Sequence, residues 1–456
     1  MDWAMDWENE LENWLSPFLD RLQNVAQRRW MPLYVQGLLG PGERKSVEAM
    51  AERIVPGSAR PLQNFLSAAP WSPSPLEELL AEEANRLVGG PDAVLVIDDT
   101  PLMKKGAHSV GVAPQYCSQL GKTANCQVLV STTLAQGEVP VCIGLRLYLP
   151  EEWATDIDRC CAAGVPLTVS AQPKWRIALD EIDRVRRAGA TFGCVLGDAE
   201  YGKAAAFRAG LVERGLTYAV GVLSTQHVYP ADVSLEPPPR GARGRPASNP
   251  VPSVESRSAA DFIAALPEKT FRRVSWRAGT KGAMRGDFAA VRVRVADGKA
   301  LRTGGHLPGA EVWLVCERRS NERKFYVTNH RTETPLAELV AAIKGRWVCE
   351  QGHQQMKEEL GLDHCECRSW LALHHHALLT MIALCFLQYL RLREKNGRRR
   401  GQSRPATPSD GAPDPATSGP SAQALRTTVS ILSAPSLLLP EIVTPANDRY
   451  LIQSIF

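Results

Sequence analysis

The stretch "DAVLVIDDT", residues 92–100, is a short apolar run that ends in two aspartates. Such a run is typical of a buried central strand that delivers acids to the edge of a sheet. A second run, "FGCVLGDAEYG" at 192–202, also reaches an aspartate, Asp198. The amphipathic stretch 173–190 predicts a helix between them, ended by Gly189. Strands that alternate with helices predict an α/β sheet covered by helices.

The segments around this core predict other kinds of structure. The first 88 residues show helical spacing, and the stretch "NCQVLVSTTLAQGEVPVCIGLRLYLP" predicts two strands around a Gln-Gly turn. Four alternating stretches between 271 and 330 predict strands, and a helical pattern returns after them. The predicted domains are 1–88, a helical N-terminal domain; 89–221, the first part of an α/β domain; 222–332, a β-rich insertion; 333–395, the second part of the α/β domain; 396–425, a flexible linker; and 426–456, a C-terminal tail.

The composition of the chain is that of a folded protein. Its 456 residues are 44% apolar and 22% charged, which is enough for two or three cores and excludes a disordered or fibrous chain. The first residues, "MDWAMDWENELENW", are acidic where a secretory leader is basic, so we expect the eleven cysteines to be reduced thiols in a cytoplasm. The most apolar run, around 378–390, contains Gln388, and we expect no membrane helix.

Positive charge is unevenly distributed along the chain. Residues 221–330 carry 18 Lys and Arg against 10 Asp and Glu, whereas residues 1–90 carry 8 against 13. A local excess of this kind predicts a surface that binds a polyanion, and an ordinary solvated basic surface is the alternative. Arg398 to Arg400 predict a solvated basic segment that touches DNA without sequence preference.

Acids stand at the ends of separate predicted elements. Asp98 and Asp99 close the first strand, Asp198 closes a later one, and Glu350 lies on a late helix. Clustered carboxylates repel one another unless a cation holds them, and oxygen ligands favour Mg²⁺ or Mn²⁺. Two such ions suit in-line attack on a phosphodiester. The alternative is that each aspartate only caps a turn or a helix.

The late helix aligns charges of both signs. In "GRWVCEQGHQQMKEELGLDH", residues 345–364, offsets of four and seven place Arg346, Glu350 and Lys357 on one stripe. The two cations are therefore predicted to hold phosphates beside the carboxylate. An exposed, salt-bridged helix face is the alternative.

Further candidates for nucleic-acid contact lie elsewhere. Lys104, Lys105 and Lys122 flank the first acids in glycine-containing loops and are candidates for phosphate contact, or are solvated. Trp276, followed by Arg277 in the basic segment, is a candidate for stacking on a base, with a place in the core as the alternative.

Several thiols and imidazoles invite a zinc interpretation. They have no clean CxxC pair and follow helical spacing, so we interpret them as buried thiols and ordinary histidines. These residues are Cys349, His353, His364, Cys365, Cys367 and His374 to His376.

Several blocks together resemble bacterial insertion-sequence transposases of the DDE type, in the insertion-sequence-701-like group with a Y-R-E-K signature. The blocks are "VIDDT", "KKGAHSVGVAPQYCSQLGKTANCQV", "LYLPEEW", "GDAEYG", "SWRAGTKGAM" and "MKEELGLDHCECRSW", and the resemblance covers about residues 30–395. The Y-(2)-R-(3)-E-(6)-K spacing falls on Ile343, Arg346, Glu350 and Lys357. The chain departs from the pattern at Ile343, where the family has a tyrosine.

This resemblance implies a ribonuclease-H-like catalytic domain interrupted by a β-rich insertion and preceded by a helical domain. It implies Asp98, Asp198 and Glu350 as the metal-binding triad. Asp98 is preferred because the family's first acid stands two positions before a threonine, here Thr100; Asp99 and Glu200 remain the alternatives to Asp98 and Asp198.

The same resemblance implies a transposase that cuts at its element's ends and joins them to target DNA. Its expected partner is double-stranded DNA, with the protein as a dimer near the bacterial nucleoid. An inactive DNA-binding derivative and a structure-specific nuclease of the same fold are the alternatives.

Overall fold

The computed structural model of the protein describes residues 3–237, 250–279, 282–301 and 305–402. The chain divides into two compact units, Glu8–Ala406 and Met1–Trp7 with Thr407–Phe456. Of the second unit, only residues 3–7 are described. The predicted tail, 426–456, and most of the predicted linker, 396–425, therefore lie outside the described residues.

The N-terminal segment is helical, as its apolar spacing predicts. Leu11, Leu15 and Phe18 recur at helical intervals and are buried. Asn24 begins the second helix with a capping box, in which its side chain accepts the backbone N–H of Ala26. The helices are α1 (Trp3–Asp20), α2 (Val25–Leu39), α3 (Val47–Ile54), α4 (Ala59–Ser67) and α5 (Ser74–Val88).

The central segment contains alternating strands and helices. The predicted turn after 125–136 is confirmed, since one strand ends at Gln136, the next begins at Val139, and Gly137 between them adopts φ +61°. The strands are β1 (Val94–Met103), β2 (Ala113–Cys117), β3 (Lys122–Gln136), β4 (Val139–Leu147), β5 (Cys194–Gly197) and β6 (Tyr218–Val222). The helices are α6 (Glu151–Ala154), α7 (Ile157–Ala162), α8 (Lys174–Arg187), α9 (Ala199–Gly202) and α10 (Ala205–Glu213).

These strands form a mixed sheet with β1 at its centre. β1 pairs antiparallel with β3 and parallel with β5, β3 pairs antiparallel with β4, and β5 pairs parallel with β6. The predicted α/β class is thereby confirmed. The arrangement is consistent with a ribonuclease-H-like domain, and it places the carboxyl end of β5 beside the middle of β1.

The segment predicted as an insertion continues the same sheet. Its last strand pairs antiparallel with β6, with Phe325 opposite Val222, so that within the described residues twelve strands form one sheet. A separate two-stranded sheet joins β8 and β9. The elements are β7 (His227–Pro230), β8 (Leu235–Glu236), β9 (Val251–Pro252), β10 (Arg257–Ser258), α11 (Ala259–Ala264), β11 (Arg272–Gly279), β12 (Gly282–Val295), β13 (Glu311–Arg318) and β14 (Arg323–Thr328).

Helices return after β14 and complete the core. Leu196 of β5, Phe288 of β12 and Val340 of the next helix belong to one buried cluster, so the strands on both sides of β6 share a core. The helices are α12 (Leu336–Lys344), α13 (Trp347–Gln354) and α14 (Trp370–Gln402), with a π-helical turn at Gln355–Glu359 and a 3₁₀ turn at Leu362–His364.

Helix α14 packs against α2, α4, α5 and β4. By length and composition its stretch Trp370–Lys395 passes as a membrane span, contrary to our expectation, because the apolar window tolerates Gln388. However, 83% of that window is buried inside the protein, as in the core helix of a globular domain. The helix also continues to Gln402, so the predicted linker boundary at 396 is wrong. Arg398 to Arg400 have good helix propensity, whereas Gly397 and Gly401 do not, so propensity alone does not account for the extension.

A buried ion cluster joins α5, β4 and α8. Arg146 donates to both carboxylate oxygens of Glu77, with Nη1–Oε1 at 2.6 Å, and its Nε donates to Glu181 at 2.7 Å. Both glutamates are nearly inaccessible. Burial opposes ionisation of Glu181, but Arg146 and Arg184 outweigh it and lower its pKa to about 2. Arg146 and Arg184 together therefore compensate the two buried carboxylates.

Candidate active site

Register in the sheet brings Asp98 and Asp198 together. In the parallel pair of β1 and β5, Ile97 lies opposite Gly197, so the next residue of each chain segment is an aspartate. Our prediction that the two acids close β1 is wrong, because β3 pairs with β1 as far as Met103 and keeps it extended. Only β5 ends immediately before its aspartate, Asp198. The two carboxylates nevertheless occupy neighbouring positions at one edge of the core.

Asp98 is buried, and its side chain faces α13. Its Oδ2 accepts hydrogen bonds from Arg346 Nη1 at 2.6 Å and from the Cys349 thiol at 3.1 Å. Its Oδ1 accepts the backbone N–H of Asp99 at 2.9 Å. The carboxylate is thus fixed by its own strand and by the helix that carries Glu350.

Arg346 links Asp98 to Glu350. Its Nη2 donates to Glu350 Oε1 at 2.5 Å, four residues further along the helix. Burial lowers the pKa of the Arg346 guanidinium, but the negative charges of Asp98, Glu350 and Asp198 more than offset this, and its pKa lies above the ordinary value. All three predicted acids therefore act on one guanidinium. Glu350 itself is exposed, towards solvent.

Asp198 is half-buried and begins the short helix α9. Its Oδ1 accepts the backbone N–H groups of Glu200 at 2.9 Å and Tyr201 at 3.3 Å. Burial, and then the negative charge of Asp98, raise the pKa of Asp198 to about 6, against the opposing effect of Arg346. The residue is a helix cap, as the alternative interpretation predicts, and it is also coupled electrostatically to Asp98.

Asp99 has different partners from Asp98. Its Oδ2 accepts from Lys174 Nζ at 2.5 Å, and its Oδ1 accepts from the Tyr201 hydroxyl at 2.6 Å. Burial raises the pKa of Asp99 despite Lys174. Because consecutive strand residues point to opposite faces, Asp99 turns towards α8 and away from Glu350. Glu200, the alternative to Asp198, is exposed and pairs with Lys203 at 2.7 Å.

The predicted stripe of Arg346, Glu350 and Lys357 is wrong at Lys357. Arg346 and Glu350 are paired, but the chain passes into a π-helical turn at Gln355–Glu359, which changes the angular spacing beyond Glu350. Lys357 is buried, and its ammonium donates to the backbone carbonyl of Pro101 at 2.9 Å. Burial lowers its pKa. Lys357 therefore stabilises β1, and its ammonium is not exposed for contact with a phosphate.

The other predicted nucleic-acid residues lie in different surroundings. Lys105 and Lys122 are exposed, whereas Lys104 is half-buried and donates to the Cys365 carbonyl at 2.6 Å. Trp276 packs edge-on against Phe288, with ring centroids 5.7 Å apart, so its ring lies against the core, as the alternative interpretation predicts.

Arg277 stacks on the ring of Trp347, which lies on the same helix as Glu350. Its guanidinium carbon lies 3.8 Å from the Trp347 ring centroid, and its Nη1 lies 3.6 Å from Glu138 Oε1. Arg277 thereby joins β11 to α13.

Some of the histidines and cysteines named for the zinc interpretation lie on α14, and others lie beside Asp98. His375 and His376 are buried on α14, where His376 Nδ1 and the Tyr34 hydroxyl form a hydrogen bond of 2.8 Å and His375 stacks on Trp71. Cys349 and His353 are instead buried beside Asp98, and a carboxylate oxygen, the sulfur and a ring nitrogen of these three residues lie within 4.8 Å of one another.

Sequence reasoning missed the residues that hold the acids in place. Lys174 and Tyr201 fix Asp99, and the Ser131 hydroxyl donates to the Asp98 carbonyl at 3.0 Å. Tyr201 follows Asp198 by three residues, and a helix-capping aspartate is expected to contact the backbone at that position, so Tyr201 had a local signal. Ser131 and Lys174 had no such local signal, since each meets its partner through the sheet or through a distant helix.

Comparison with known proteins supports this assignment of the fold. The family model for the DDE superfamily endonuclease matches residues 17–283, more than half of the chain. The match includes Asp98 and Asp198 and ends before Glu350. The chain is also 28% identical over 193 residues to a probable transposase for insertion sequence element IS701 from Microchaete diplosiphon. That alignment covers 42% of this chain and about half, 48%, of the relative. The chain belongs to the DDE superfamily endonucleases.

Proposed function

We propose that this protein is a DNA transposase that cuts at the terminal inverted repeats of its insertion sequence and joins the freed 3′ ends to target DNA. The observation that supports this most strongly is the contact of one guanidinium, that of Arg346, with both Asp98 and Glu350, while Asp198 acts on the same charge. Acids from β1, the end of β5 and α13 thus share one electrostatic centre.

The donor set suits a hard divalent cation. Asp98, Asp198 and Glu350 offer carboxylate oxygens, and the charge of Asp98 helps to raise the Asp198 pKa, a repulsion that a cation offsets. These three residues would hold Mg²⁺, or Mn²⁺ in its place. In a two-ion arrangement, the chemistry supplied there is activation of the attacking oxygen and stabilisation of the departing one at a phosphodiester.

The chain's own residues position this chemistry. Arg346 holds the exposed Glu350 carboxylate close to the buried Asp98, and the N–H groups at the start of α9 orient Asp198. Exposed Lys105 and Lys122 are suited to phosphate contact. Attack by water cuts the strand, and attack by the freed 3′ hydroxyl joins it to the target in a transesterification.

The proposed partner is double-stranded DNA, both element ends and target. The helical N-terminal segment is proposed to read the ends, with the basic strands after β6 supporting the cleaved strand. Two ends must be cut and joined together, so we expect a symmetric dimer on DNA. The proposed setting is the bacterial nucleoid within the cytoplasm.

A cleavage assay tests the proposal. Purified full-length protein is incubated with Mg²⁺ and DNA that carries the inverted repeats flanking the gene, and nicked and joined products are resolved. Wild type is compared with Glu350→Gln and with Glu358→Gln, which changes an exposed acid of the following turn. We expect products with wild type and Glu358→Gln only, and equal DNA binding by all three.

Other outcomes distinguish the alternatives. Binding without cutting by the wild type indicates an inactive DNA-binding derivative. Cutting of branched DNA without joining indicates a structure-specific nuclease. Cutting by Glu350→Gln at the wild-type rate contradicts the role proposed for Glu350.

A further inference from the structure

A carboxylate, a thiol and an imidazole converge beneath the candidate active site. Asp98 comes from β1, whereas Cys349 and His353 stand four residues apart on α13 and therefore share one face of that helix. One ligand atom from each lies within 4.8 Å of the others. All three side chains are buried, with exposed fractions of 8%, 0% and 8%.

The chemistry of this trio differs from that of the acidic triad. The His353 imidazole is buried and contacts Ser131 through Nε2, and a neutral imidazole offers one ring nitrogen to a cation. Its Nε2 lies 2.9 Å from the Ser131 hydroxyl, whose own proton is donated to the Asp98 carbonyl. Sulfur and imidazole nitrogen are ligands that favour Zn²⁺ over Mg²⁺.

We propose that Asp98, Cys349 and His353 form a binding site for a thiophilic divalent cation, of which Zn²⁺ is the natural example and Co²⁺ a spectroscopic probe. Binding would break the hydrogen bond between the Cys349 thiol and Asp98 Oδ2, and the thiol proton would pass to water. Burial and the charge of Asp98 raise the pKa of this thiol, so the charge of the cation must offset the cost of removing the proton. Ser131 remains in place to orient His353, as outer hydrogen bonds commonly do at metal sites.

The site shares one ligand with the proposed Mg²⁺ site. A thiophilic cation that takes the Asp98 carboxylate withdraws it from the acidic triad, and it also places positive charge next to Arg346. Zinc is therefore expected to inhibit Mg²⁺-dependent cleavage. This consequence rests on the proposed function, whereas cation binding itself does not.

Cobalt absorption tests the binding site directly. Purified full-length protein is titrated with Co²⁺, and thiolate-to-cobalt charge transfer is followed in the near ultraviolet. We expect saturation at one Co²⁺ per chain, bleaching by Zn²⁺, loss of the band in Cys349→Ser and at least about tenfold weaker binding in His353→Gln. Cys316→Ser removes a buried thiol of β13 and serves as the matched control, with the band retained.

Variants of the other thiols test whether cobalt binds elsewhere in the protein. Cys365 and Cys367 are also buried and lie two residues apart, and Cys161 is exposed. A band that survives in folded Cys349→Ser, or that disappears in Cys367→Ser or Cys161→Ser, overturns the proposal, as does no band in the wild type. Circular dichroism establishes that each variant is folded, and His353→Gln provides an independent test if Cys349→Ser is not.

The cleavage assay separates this inference from the proposed function. Zinc added to the Mg²⁺ reaction is expected to reduce the wild-type rate at concentrations that bleach the cobalt band. If the band appears and no DNA is cut with Mg²⁺, the proposed function fails and the cation site stands. If DNA is cut and no band appears, the cation site fails and the proposed function stands.

Discussion

The raised pKa of Asp198 predicts an unusual pH dependence of metal binding. Protons compete with a cation for a carboxylate, so the apparent affinity scales with the ionised fraction of the ligand. With a pKa of about 6, Asp198 is about 90% ionised at pH 7 and about 10% ionised at pH 5. Acidification over this range should therefore weaken Mn²⁺ binding about tenfold through Asp198 alone, equivalent to roughly 1.4 kcal/mol.

The assay is a Mn²⁺ titration of the full-length protein at pH 5, 6 and 7, with free Mn²⁺ measured by electron paramagnetic resonance. An aspartate of ordinary pKa would lose under about a tenth of its ionised fraction between pH 7 and pH 5, so the two cases are well separated. Circular dichroism at each pH shows that the protein remains folded.

A matched pair of variants identifies the cause. The negative charge of Asp99 helps to raise the Asp198 pKa, so Asp99→Asn should reduce the pH effect, whereas Asp158→Asn, at an exposed position of α7, should leave it unchanged. Equal wild-type affinity at pH 5 and pH 7 would contradict this prediction, because it would mean either that Asp198 is not a ligand or that its carboxylate is not buried beside Asp98.

Three further predictions concern stability and DNA contact. Arg146→Met removes the guanidinium bonded to the buried Glu77, while Glu181 keeps its ion pair with Arg184, and it should lower the free energy of unfolding by about 3–5 kcal/mol in chemical denaturation. Arg176→Met, in an exposed ion pair, should cost less than about 1 kcal/mol, and similar losses for the two variants would contradict the proposed role of the cluster. Burial lowers the pKa of His353, His374 and His375 to about 4. Their contribution to stability is therefore complete above about pH 6.5 and is lost as the pH falls towards 4. An unfolding midpoint that stays constant over this pH range would contradict the prediction. Lys105→Met should reduce the slope of DNA affinity against salt concentration by about one phosphate contact, whereas Lys357→Met should leave that slope unchanged and lower the thermal midpoint of unfolding. A changed slope for Lys357→Met would show that Lys357 does contact a phosphate.

Elements with strong local patterns were predictable from the sequence. The apolar run before Asp98, the turn at Gly137 and the apolar face of α1 each depend on neighbouring residues, and each lies where the pattern placed it. The pairing of Arg346 with Glu350 likewise follows from a four-residue spacing on one helix.

Features that depend on distant contacts were not predictable. The π-helical turn that contains Lys357 packs against α14, and Lys357 reaches Pro101 of β1, so both contacts are distant in sequence and no local pattern marks the turn. The same holds for Cys349, which meets Asp98 across 251 residues of sequence. The extension of the sheet beyond β6 depends on the pairing of β14 with β6, about a hundred residues apart, so an alternating pattern alone did not show whether those strands form a separate sheet.

The proposed function depends on Asp98, Asp198 and Glu350 binding divalent cations together at the carboxyl end of β5. Anomalous scattering from Mn²⁺ in crystals of the protein bound to its element-end DNA tests it most directly. We predict anomalous peaks within ligand distance of all three carboxylates, and loss of occupancy in Glu350→Gln. Peaks that contact Asp98 or Asp198 while Glu350 stays paired with Arg346 alone would contradict the claim.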